Sequence, residues 1–284
     1  MKYMTLIVLS AGALAYLGAA AAAVLFLARE KAPLAGLARR LALAGGCLFL
    51  LVFVLRWATW GALPMTTPAD ALVVFVVLAT AVMFASARGK TRAVSSFYVL
   101  PISLLAVLCL FAAPRAFSSA PTELRGIFLA GHVILAFLAY ALFLGASVTS
   151  VAYLFQVRRL KNHHPQGLFH ALPSLERLDV SLHSLIQYGY LAFALTLLVG
   201  GIWTRVDAEL LGPRWYLAPK ILQSIIMVVF YAVVFHSRQW GLLRGRKLAF
   251  AVLAGFSVML GIYLVRALLG LSYYYFWEAS VWAS

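Results

Sequence analysis

The chain has 284 residues, 64% of them hydrophobic and 11% charged, with a formal net charge of +15. A water-soluble globule carries about twice that charged fraction, so the composition excludes one and defines an integral membrane protein. The basic excess would suggest nucleic acid in a soluble chain, and its placement decides against that reading below.

A helix needs about 20 apolar residues to cross a bilayer. Eight such runs follow in chain order, at roughly 4–28, 38–57, 69–87, 95–113, 126–156, 182–203, 217–237 and 247–269. The first is longer than a signal-peptide core and is followed by Arg29 and Lys31, so it reads as a retained helix. Eight spans place both termini on one side. Arg29, Lys31, Arg39 and Arg40 follow span 1; Arg88, Lys90 and Arg92 follow span 3; Arg158, Arg159, Lys161 and Arg177 follow span 5; Arg238, Arg244, Arg246 and Lys247 follow span 7. The positive-inside rule makes those loops cytoplasmic and both termini outside. The charge thus encodes topology, membrane lipid is the surrounding partner, and nucleic acid is not expected.

The expected fold class is all-α: a polytopic membrane protein of about eight helices, forming one membrane domain over 1–284. Helices 1–4, residues 1–113, carry few polar side chains and read as scaffold. Chemistry is expected from helices 5–8, residues 126–270, with the outer loop 204–216. Cys47 and Cys109 stand singly in different spans, without C-x-x-C, and read as packing residues. His163, His164 and His170 lie in the long loop 157–181, without Cys or a carboxylate beside them, and read as solvated. All eight acidic residues fall in loops or at span ends, which disfavours a carboxylate-driven transporter.

Three histidines remain at or inside span ends. An imidazole in an apolar helix is costly unless partnered, so each is a candidate site. His132 lies about two turns below the outer surface of span 5, with Ala136 and Ala139 on the same face. Small residues beside an imidazole leave room for a flat ligand. His183 falls in the first turn of span 6 and His236 in the last turn of span 7, at similar cytoplasmic depth. Facing helices with one histidine each suit a bis-histidine haem. His132, nearly a membrane thickness away, would serve a second, outer haem. The outer cations Arg56, Arg125, Arg205, Arg214, Lys220 and Arg266 suit haem propionates, or snorkel toward phosphate headgroups.

The segments PSLERLD (Pro173–Asp179), GGIW (Gly200–Trp203), GPRWYLAPK (Gly212–Lys220) and YAVVFHSR (Tyr231–Arg238) occur in that order, preceded by RWATWGALP (Arg56–Pro64) and the GHV of Gly131–Val133. This pattern resembles the CcsA/ResC/HemX family of cytochrome c assembly membrane proteins, most strongly over about 126–270. The resemblance implies that GPRWYLAPK corresponds to a tryptophan-rich haem-handling motif resembling W-x-W-D-P-K-E. Trp215, Pro219 and Lys220 match it, whereas Leu217, Ala218 and Ile221 replace its second Trp, Asp and Glu. It also implies that His132 is an outer haem histidine and His236 a membrane one. A further outer histidine is expected where GLSYYY (Gly270–Tyr275) has none.

The expected cofactor is b-type haem, because antiparallel helices offer His183 and His236 at matching depth, and the expected location is a bacterial cytoplasmic (inner) membrane. The cofactor-binding residues would be His132, His183, His236, Trp203, Trp215, Lys220, Arg56 and Arg266, with the three histidines ligating haem iron, although His183 stands where the resemblance implies Tyr or another non-ligand. The expected partner is a membrane protein or a cytochrome. Two readings stay open: a haem-handling cytochrome c assembly protein, or a non-catalytic relative. The relative would be a structural or electron-carrying subunit of a membrane complex, or a HemX-like regulator of haem supply. Whether the chain is an enzyme stays open with them, because the attachment motif is altered.

Overall fold

The computed structural model describes residues 2–61, 63–65, 67–87, 93–116, 127–161, 172–206, 219–237 and 240–268, with only the backbone at several helix ends. Eight α-helices order these residues: α1 (Lys2–Arg29), α2 (Ala32–Trp60), α3 (Pro68–Ser86), α4 (Ser95–Ala116), α5 (Ile127–Lys161), α6 (Leu175–Val206), α7 (Pro219–His236) and α8 (Arg246–Leu268). Six contain stretches long and apolar enough to cross a membrane, in α1 through α6, and α7 adds the shorter apolar stretch Ile221–His236. The protein is an all-α polytopic membrane protein, as its apolar runs imply.

The helix starts depart from the apolar runs wherever polar residues open a helix. α2 begins at Ala32, because Pro33 in its first turn presets helical φ and Glu30 at φ 59° turns the chain sharply after α1. Arg39 and Arg40, counted with the basic residues after span 1, therefore lie well inside α2 and not at its edge. Arg39 Nη1 donates to the Ala87 carbonyl at 2.6 Å, and its guanidinium sits 4.1 Å from the centre of the Phe84 ring. α6 begins at Leu175, well before the expected 182. The Arg177 N–H lies 3.4 Å from Ser174 Oγ, and Glu176 complements the dipole of the first turn. His183 is thus in the third turn of α6, a correction to its expected first-turn position. α3 opens with a reciprocal cap: Thr67 Oγ1 accepts from the Asp70 N–H at 3.1 Å and donates to Asp70 Oδ2 at 2.6 Å.

Without water to drive helices together, packing in a membrane depends on small residues and interhelical hydrogen bonds. Both occur here. A Cβ on Gly45 of α2 would stand 2.8 Å from the Tyr16 ring of α1, and one on Gly12 would stand 2.9 Å from Phe49. The Tyr16 hydroxyl pairs with Thr80 Oγ1 at 2.5 Å, and Ser103 Oγ donates to the Tyr16 carbonyl at 2.9 Å, which links α1, α3 and α4. The scaffold helices thus hold more buried polar structure than their composition suggests. α5 packs most extensively on α6, and α7 joins α6 and α8. Ala139, Phe143, Ala192, Phe193, Met227, Tyr231 and Met259 form a separate core cluster where these four helices meet.

Each end of the bundle carries an ion pair. At one end Arg159 Nη2 pairs with Glu30 Oε1 at 3.1 Å, which places the α1–α2 turn beside the end of α5. At the opposite end Arg56 and Asp70 join the end of α2 to the start of α3, buried to 3% and 1% exposure.

Candidate functional site

His132 is half-buried on α5, and its Nδ1 lies 2.9 Å from the Thr196 carbonyl oxygen of α6. A carbonyl only accepts, so in the neutral ring Nδ1 carries the proton and Nε2 holds the lone pair, the form in which an imidazole can ligate a metal. Thr196 is buried, and its own hydroxyl donates to the Ala192 carbonyl at 2.8 Å. Ala139, two turns along the His132 face, is fully buried, and Ala136 is half-buried.

His236 ends α7 with the same chemistry arranged locally. Its Nδ1 lies 2.8 Å from the Ala232 carbonyl oxygen, one turn back, so here too Nε2 holds the lone pair. Aromatic rings surround it: Trp240 stacks at 5.5 Å and 24°, Tyr190 meets it edge-on at 6.4 Å, and Phe235 edge-on at 4.7 Å. His183 of α6 stacks on Phe235 at 5.8 Å and 16°. The structure therefore brings His183 and His236 to one aromatic cluster, with Phe235 packed against both.

Between the His132 contact and this cluster lies aromatic packing. Phe143 of α5 stacks on Tyr231 of α7 at 3.6 Å and 8°, and Phe193 of α6 meets Phe143 at 5.9 Å. The Tyr231 hydroxyl is buried there and finds no hydrogen-bond partner among the described residues. Among the described residues no three His, Cys, Asp or Glu side chains group closely enough to hold a bare metal ion. A porphyrin iron brings its own four equatorial nitrogens and asks the protein only for axial ligands. Single imidazoles with Nε2 lone pairs, beside flat aromatic or small side chains, fit that demand.

Arg56 is already engaged by a carboxylate of its own chain. It is buried and gives Nε and Nη2 to the two Asp70 oxygens at 2.5 and 3.1 Å, a fork that closes the α2–α3 connection. Trp203, Lys220 and Arg266 lie on the backbones of α6, α7 and α8. Their side chains lie outside the described residues, as do Trp215, the loop 207–218 and the GLSYYY segment. Sequence reasoning missed Tyr190, Phe235, Trp240 and the Thr196 carbonyl. Trp240 follows His236 by four residues, a legible signal; the carbonyl has none.

A bundle of apolar helices with one imidazole bonded to a backbone carbonyl on α5 and another on α7 belongs to the class of polytopic membrane proteins. The sequence model of the family described as "Cytochrome C assembly protein" matches residues 64–272, and the chain belongs to that family. It is 28% identical over 261 residues to the cytochrome c biogenesis protein CcsA of Prochlorococcus marinus (strain MIT 9303), covering 80% of each chain. Against the protein of that name from Synechococcus sp. (strain CC9605) the identity is 25% over 262 residues, covering 84% of this chain and 85% of the relative. Protein HemX of Brevibacillus brevis matches at 26% over 132 residues, 46% of this chain and 47% of that protein. No solved structure matches the chain.

Proposed function

We propose that this membrane protein of the cytochrome c biogenesis family binds haem and handles it at or through the bilayer. The observation that carries the reading is shared by His132 and His236. Each ring nitrogen Nδ1 is tied to a backbone carbonyl, which presents Nε2 for axial ligation and fixes the ring. Haem, when bound, supplies the iron and its four equatorial nitrogens, and carries two propionates that seek cations. His132 is the outer ligand. His236 is the inner one, with His183 as the second axial candidate in a bis-histidine arrangement.

Tyr190 and Trp240 shape a flat aromatic border for the inner group. Lys220 and Arg266 are proposed for the propionates, and Trp203 and Trp215 for the outer platform. Arg56 is left out, because Asp70 already holds it. The cargo is proposed to be b-type haem, delivered in a bacterial inner membrane to a partner protein or cytochrome. A second reading, a HemX-like regulator or non-catalytic subunit, is favoured by Leu217, Ala218 and Ile221 in place of the family's Trp, Asp and Glu.

The test is a pyridine haemochrome spectrum of the purified full chain and of His132→Ala, His183→Ala and His236→Ala. The wild type is expected to carry b-type haem, with His236→Ala removing or shifting most of the Soret band. A haem-replete preparation without a Soret band overturns the proposal. A deletion strain separates the two readings: lost covalent c-type haem supports assembly, and normal maturation supports the non-catalytic role.

A further inference from the structure

α6 carries two adjacent glycines that are not equivalent. A Cβ on Gly200 would stand 2.8 Å from His132 Nδ1 and 2.9 Å from its Cε1, whereas one on Gly201 would meet nothing within 4 Å. The same imidazole reaches the Thr196 carbonyl at 2.9 Å. In an α-helix that carbonyl also accepts from the N–H of residue 200. The ring therefore lies across one turn of α6, flush with the backbone, in a notch that only a missing side chain leaves open. The Thr196 hydroxyl is committed to Ala192 and does not compete for the carbonyl.

We infer that Gly200 is a positioning residue for His132: its notch lets the ring settle on α6, and the Thr196 carbonyl then fixes the Nδ1–H tautomer that leaves Nε2 for the iron. This rests on the reading of His132 as an axial ligand. A methyl group at position 200 collides with Nδ1 itself, the atom that makes the hydrogen bond. Backbone on one side and Cβ on the other cannot both yield, so the ring moves outward and the bond to Thr196 is lost. Ligating histidines depend on such a bond for ring orientation and basicity.

The experiment compares the full-length wild type with Gly200→Ala, Gly201→Ala and His132→Ala in detergent. In haem-free protein, 15N-histidine NMR reports the tautomer, with the His132 signal assigned by its loss in His132→Ala. Haemin titration gives the component of binding that His132→Ala removes. Wild type and Gly201→Ala are expected to show the Nδ1–H tautomer. Gly200→Ala is expected to lose it and to weaken the His132-dependent haemin component by about 10–100-fold. An unchanged tautomer in Gly200→Ala, or an equal change in Gly201→Ala, overturns the proposal. If Gly200→Ala alters the tautomer while His132→Ala leaves haemin binding intact, the positioning stands and the haem reading of His132 fails. Where Gly200→Ala lowers the yield of folded chain, adding His132→Ala removes the collision and restores it; failure to restore it overturns the proposal.

Discussion

Asp70 and Arg56 illustrate how one residue's burial changes its meaning. On sequence alone Arg56 is one outer cation among several, suited to a propionate; in the fold it is 3% exposed and forked onto a carboxylate that is 1% exposed. A charge taken out of water costs several kcal/mol unless its partner stays in place. Asp70→Ala removes that carboxylate, and with it the acceptor of the Thr67 hydroxyl, while the backbone N–H at position 70 still caps α3 through Thr67 Oγ1. It is expected to destabilise the chain by about 3–5 kcal/mol, read as a lower unfolding midpoint in detergent, with haem content per folded molecule retained. Haem lost per folded molecule from this variant, with stability unaltered, would return Arg56 to the propionate site. The histidines were more legible than the arginine. An imidazole in an apolar helix announces itself by cost, whereas the carboxylate that claims Arg56 lies 14 positions away across a turn.

At the level of helices, number and order were legible because each apolar run is long. Their starts were not, because Pro33, Ser174 and Glu176 favour a helix while lowering hydropathy. Rotation was the hidden quantity: a membrane helix is apolar toward lipid and toward its neighbours alike, so periodicity does not say which face packs. Small residues decide it. Gly45 marks the face of α2 that receives Tyr16, and Gly200 marks the face of α6 that receives His132. Gly45→Val is therefore expected to overpack the α1–α2 contact and cost about 1–3 kcal/mol. A thermal melt in detergent checks this, with Gly18→Val, whose Cβ would stand 3.4 Å from Leu41, expected to be milder.

For the whole molecule, the Arg159–Glu30 pair and the Arg39 bond to Ala87 gather the ends of α1, α3 and α5 at one end of the bundle. This is the grouping the positive-inside rule requires if that end is cytoplasmic. A reporter that matures only in the cytoplasm should be bright when inserted in the loop after α5 and dark at the C-terminus; the reverse pattern inverts the topology. The helices meeting at the site are unequal in reach. At 1.5 Å per residue, the 35 residues of α5 extend about 52 Å and the 18 of α7 about 27 Å. The hydrocarbon core is about 30 Å thick. α7 also leaves Leu222, Ile225, Ile226, Val229 and Val233 exposed. A short helix exposed to lipid thins the membrane beside it or tilts upright against its neighbours. His236 closes that helix, so any hydrophobic mismatch between α7 and the bilayer falls on the end that carries this imidazole.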